Sequence, residues 1–116
     1  MKRLVSMLVA LLLATAVYAG EVQGILLDKE CAAKIAKAND QAAAKKHKRE
    51  CALMVECVKA GYGVLMPDGK FISIDPAGST KVVEALKATK KDDNLEVLVT
   101  GDVNGDTVKL TSIKVL

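Results

Sequence analysis

The chain has 116 residues, with 17 Lys and Arg against 14 Asp and Glu, one histidine, three cysteines and no tryptophan. Aromatic residues make up 3% of it, too few for the stacking platforms that hold single-stranded nucleic acid, and a net charge of +3 is too small for a basic groove. Nucleic acid is therefore disfavoured as a partner.

Residues 1–19 read as a secretory signal peptide. Lys2 and Arg3 form a basic start, Leu4 to Val17 is apolar apart from Ser6 and Thr15, and Val17-Tyr18-Ala19 fits a cleavage site. The apolar run is short for a bilayer span and lacks a basic stop-transfer flank, so no membrane span is expected once it is removed. Cysteine first occurs at Cys31, so a lipid-anchor cysteine at the cleavage point is missing. Cleavage after Ala19 leaves one domain, residues 20–116, in the periplasm or secreted. The leader takes two cations with it, and most of the apparent basicity goes too. What remains is concentrated between Lys29 and Lys59, where eight cations face four acids. The run Lys45-Lys46-His47-Lys48-Arg49 reads as the solvated face of a helix.

Glu21 to Asp28 is a first strand, with Gly24 marking a bend. Asp28 caps a short helix to about Ala38, Asn39-Asp40 breaks it, and a second helix runs from about Ala42 to Ala60. These two form a helical hairpin, an insert over residues 29–60. Tyr62 to Met66 and Lys70 to Asp75 are short strands around Pro67-Asp68-Gly69. A helix follows from about Thr80 to Thr89, burying Val82, Val83 and Leu86. Leu95 to Val103 and Thr107 to Val115 then flank Asn104-Gly105-Asp106, a hairpin signal. In the last strand the apolar phase slips near Thr111 or Ser112, which predicts a bulge.

The fold class is mainly β with α+β content: a five-stranded OB-like barrel, the helical hairpin lying between strands 1 and 2 and one helix between strands 3 and 4. An open α+β sheet of the same elements is the runner-up.

Three cysteines in an exported chain allow one disulfide and leave one thiol over. If the insert is an antiparallel hairpin reversing near Asn39 to Gln41, Cys31 faces Cys51 better than Cys57. A Cys31–Cys51 disulfide would stabilise the fold by about 3 kcal/mol through chain entropy. Cys57 is the alternative partner, and the odd cysteine is free to make a dimer. A metal site is the sharper alternative. On one helix His47, Cys51, Met54 and Cys57 are neighbours three or four residues apart, and imidazole, thiolate and thioether suit copper, or zinc through the first two. Cys51 and Cys57 are six apart, however, and point about 120° from each other on an ideal helix. Cys31 is an alternative fourth ligand.

These same residues carry a resemblance. The elements Asp28-Lys29-Glu30-Cys31, His47, Cys51, Cys57-Val58-Lys59-Ala60-Gly61, Asp68-Gly69 and Val99-Thr100-Gly101 resemble a group of small exported bacterial OB-like proteins. That group shares an Asp-x-x-Cys strand end, a later cysteine pair ending in Cys-Val-x-x-Gly, and a barrel. The resemblance implies fold and address and no reaction. In the group the cysteine pair is typically C-x3-C, whereas here five residues separate Cys51 from Cys57.

No triad or nucleophile elbow is present around the lone histidine, so an enzyme is not expected. The sequence thus predicts an exported binding module for an unknown small ligand or protein, with a disulfide-stapled insert, no cofactor, and a binding face between barrel and hairpin. The alternatives are a periplasmic copper or zinc binding protein and a thiol redox protein.

Overall fold

The computed structural model describes residues 18–116. Most of the expected signal peptide lies outside the described residues. Five strands, β1 (Tyr18–Asp28), β2 (Tyr62–Leu65), β3 (Phe71–Ile74), β4 (Glu96–Asn104) and β5 (Thr107–Val115), close into a barrel in the order β1-β2-β3-β5-β4. Closure distinguishes this from the open sheet of the runner-up. Every pairing is antiparallel except β3 with β5, which is parallel.

Strand alternation divides β1 between two cores. Val22 and Leu26 point inward with Val64, Ile72, Val97, Val99, Val103 and Val108, and helix α5 (Ser79–Ala88) adds Val82 and Leu86. Ile25 and Leu27 point outward and meet Leu65, Ala32 and Ala44 in a second, smaller cluster beneath the insert. The last five residues of β1, Gly24 to Asp28, are consequently buried.

Two glycines make the tight coiling possible. A Cβ on Gly24 would lie 2.2 Å from the Leu65 carbonyl oxygen, and one on Gly101 would lie 2.1 Å from that of Lys109. At Gly101 the β4–β5 register shifts, Thr100 pairing with Ser112 and Gly101 with Leu110, so Thr111 is the extra residue. This is where the apolar phase of the sequence slips.

The insert departs from the expected hairpin. Four short helices replace two: α1 (Lys29–Ile35), α2 (Gln41–Lys46), α3 (Arg49–Ala52) and α4 (Val55–Ala60). In a continuous helix the Lys45 carbonyl would accept from Arg49 N–H. Here that carbonyl accepts from Asn94 N–H at 2.7 Å, while Arg49 N–H donates to the Asp92 carbonyl at 2.7 Å. The loop ahead of β4 thus takes both halves of one helical bond. At the second break, the Ala52 carbonyl accepts from the buried Tyr62 hydroxyl at 2.6 Å. Both interruptions exchange local bonds for tertiary ones, which satisfies the freed backbone groups.

Among the described residues no helix is long and apolar enough to cross a membrane.

Candidate metal centre

The first functional side chain stands where β1 ends. Asp28 is opposite Tyr62 on the last rung of the β1–β2 pairing, and Lys29 N–H closes that end on the Gly61 carbonyl at 2.9 Å. Asp28 is also the N-cap of α1, as its sequence context predicts: Oδ2 accepts from Cys31 N–H at 2.9 Å. This cap fixes the spacing of the Asp-x-x-Cys element and brings the Cys31 side chain back toward the carboxylate that holds its own amide.

His47 arrives from the break between α2 and α3. Its backbone is extended, with φ −64° and ψ 126°, so the helix ends and the imidazole turns under the insert. His47 Nε2 lies 2.7 Å from Asp28 Oδ1. The Asp28 side chain is fully buried and that of His47 nearly so, at 0% and 7% exposure.

Burial by itself would raise the Asp28 carboxyl, but hydrogen bonds from His47, from Cys31 N–H and from the Cys57 thiol outweigh it and hold the group at about 2. The carboxylate is therefore ionised, and Nε2–H is the donor in the contact with His47. A buried, unpartnered carboxylate would cost several kcal/mol, so this ring of donors is what permits Asp28 to stand here.

The thiols respond in the opposite direction. Burial, then hydrogen bonding to Asp28 and its negative charge, push Cys57 up to about 12. Burial and the Asp28 charge raise Cys31 as well. Tyr62, across the rung, is pushed up to about 12, again by burial first and the Asp28 charge second. Asp28 is the electrostatic centre, and its neighbours are arranged as proton holders around it.

One donor atom each from Asp28, Cys31 and His47 lies within 4.8 Å of the other two. Of the metal ligands expected from helical spacing, the structure brings His47 to this point together with the alternative ligand Cys31. Cys57, buried on α4, lies outside this three-residue cluster. Cys51 is half-buried on α3 within electrostatic reach of Cys31, while Met54 is 53% exposed at the second break. The single helical face of His47, Cys51, Met54 and Cys57 does not form, because the helix that would carry it is interrupted twice.

The Cys31–Cys51 disulfide is likewise not formed; Cys31, Cys51 and Cys57 are all free. Its pairing assumed one antiparallel hairpin register, and that register is lost at the break after Lys46. Asp28 was legible in the sequence only as a cap. The signal for its second role is an acid directly after the apolar run Ile25-Leu26-Leu27, three residues ahead of a cysteine.

The face between barrel and insert carries an open cavity of about 270 Å³, floored by Ile25 and Leu65 and rimmed by Gln41, Lys45 and Glu96. Gln41 already donates to Asn39 and to the Met66 carbonyl, and Glu96 accepts from Gln23. Gln41 and Glu96 are thus engaged with residues outside the cavity, whereas the polar groups at Asp28 converge on a single point.

Comparison of the chain with protein-family models, with curated proteins and with solved structures found no match in any of the three.

Proposed function

We propose that the protein is an exported OB-like module that binds one transition-metal ion through Asp28, Cys31 and His47. The observation that carries this reading is the convergence of carboxylate, thiol and imidazole within 4.8 Å at a buried strand end. These are three different donor types, all of them ligands of zinc and related ions at such spacings. The OB-like reading is supported by the strand order β1-β2-β3-β5-β4, the parallel closure of β3 on β5, and the helix between β3 and β4. The insert between β1 and β2 then serves to wrap the end of β1 and deliver His47 to it.

The metal reading accounts for features that a thiol oxidoreductase does not. A nucleophilic thiol needs a lowered pKa, yet Cys31 and Cys57 are both raised beside Asp28. A bound cation reverses that effect, because coordination deprotonates a thiol outright.

The test is native mass spectrometry of the reduced protein after equimolar zinc and dialysis, with the same treatment of Asp28→Asn and His47→Ala. One ion per wild-type chain, lost from both variants, is the expected result. Wild-type protein that emerges metal-free, or that is isolated with Cys31 in a disulfide and takes up no metal, would overturn the proposal.

A further inference from the structure

We propose that the ion is divalent and zinc-like rather than cuprous, and that Cys57 supplies the fourth ligand, so that the site is one carboxylate, one imidazole and two thiolates. This rests on the metal reading above and adds to it the class of ion and the closing ligand.

Three donors leave a tetrahedral ion open, and open zinc sites are those that keep a water for chemistry, whereas four protein ligands make a closed site. The residues around Asp28 offer one more donor of the right kind. Cys57 is buried at 7% exposure on α4, and its carbonyl accepts from Gly61 N–H at 3.1 Å while the Gly61 carbonyl accepts from Lys29 N–H, next to Asp28, at 2.9 Å. It also sits within electrostatic reach of Cys31. The other sulfurs are placed differently. Cys51 is only half-buried on α3, outside the cluster of Asp28, Cys31 and His47, and Met54 is exposed at the break after it. The four ligands would come from the end of β1, the first turn of α1, the break after α2, and α4, so one ion ties together the segments the insert brings to that end of the barrel.

Charge and ligand softness select the ion. Asp28 and two thiolates carry three negative charges. A divalent ion leaves a net charge of −1 and a monovalent one leaves −2, in a place where the Asp28 side chain is fully buried. Residual charge in such a place is costly, and the cost rises with its size. Cuprous ion favours soft sulfur ligands, whereas a carboxylate oxygen suits harder and borderline divalent ions. The coordination balances simply. The Cys31 and Cys57 thiols each release a proton to solvent, the Nε2 proton of neutral His47 moves to Nδ1, and the ion takes the three vacated positions together with one Asp28 oxygen.

Cobalt(II) is the probe, since its thiolate charge-transfer band in the near ultraviolet scales with the number of bound thiolates and its visible bands report tetrahedral geometry. The reduced wild-type protein is expected to show a tetrahedral spectrum with a two-thiolate band. Cys57→Ser should halve that band, Cys51→Ser should leave it unchanged, and zinc should displace cobalt while an equimolar cuprous complex should not. A one-thiolate band in the wild-type protein would overturn the assignment of Cys57 and a three-thiolate band the four-ligand set, and that measurement does not depend on whether any variant folds. Halving in Cys51→Ser, or displacement by cuprous ion ahead of zinc, would also overturn it while leaving a metal site in place. Absence of any cobalt spectrum would sink the metal reading together with this one.

Discussion

The barrel and the insert are built on different physical terms. The barrel buries a continuous apolar interior of Val, Leu and Ile from all five strands and α5. The insert has helices of seven, six, four and six residues, each too short to persist alone, and the residues it buries are Ala32, Ala44, Ala52, Cys57 and His47. Small side chains cover little area. The insert is therefore held by a few directed bonds: Asp28 with His47 and Cys31, Tyr62 with Ala52, and the Lys45 and Arg49 backbone with the 92–94 loop. Stability that comes from area is spread over many residues; stability that comes from directed bonds can be removed at one atom.

That difference sets the expected effects. Leu26→Ala should cost about 2–5 kcal/mol, because it leaves a cavity in the barrel interior, and should lower the melting temperature of the whole molecule. Asp28→Ala should cost about 1–3 kcal/mol by leaving the buried His47 Nε2–H without its acceptor. Its loss should be local, with hydrogen exchange rising across residues 29–60 while β4 and β5 stay protected. Equal loss of protection in both regions would show that insert and barrel unfold as one unit.

Acid sharpens the same contrast in protein kept in chelator. The Asp28 carboxyl is depressed from 3.8 to about 2 on folding. Its contribution is complete above about pH 4 and disappears as pH falls toward 2, an effect of about 2 kcal/mol by linkage. Denaturant melts at pH 5 and pH 2.5 should show it in wild-type protein, and Asp28→Asn should flatten that dependence. Tyr62→Phe is the smallest change. It strands the Ala52 carbonyl and should cost about 1 kcal/mol, read as faster exchange around the α3–α4 break.

What the sequence made legible follows the same line. The strands, the Thr111 bulge, the helix between β3 and β4 and the Asp28 cap were readable because each is written in neighbouring residues. The second helix was read as continuous because its composition is helical throughout; nothing within residues 42–60 reports that Asn94, Asp92 and Tyr62 will compete for its backbone. The candidate site was half legible. Cys31, His47 and Cys57 stood out as rare residue types, but their grouping depended on the helix being broken. Asp28 looked fully explained by the cap that is only one of its two roles.

One eight-pair seam of the barrel joins parts far apart in the chain: residues 18–25 of β1 pair with residues 96–103 of β4. A chain made from its N-terminus presents β1 early and its main partner almost last. Until β4 emerges, β1 has only β2 and the insert to lie against, so its other edge is open to any strand that meets it. Vectorial synthesis therefore leaves a long interval in which β2 and the insert are what cover the apolar end of β1, Ile25 to Leu27.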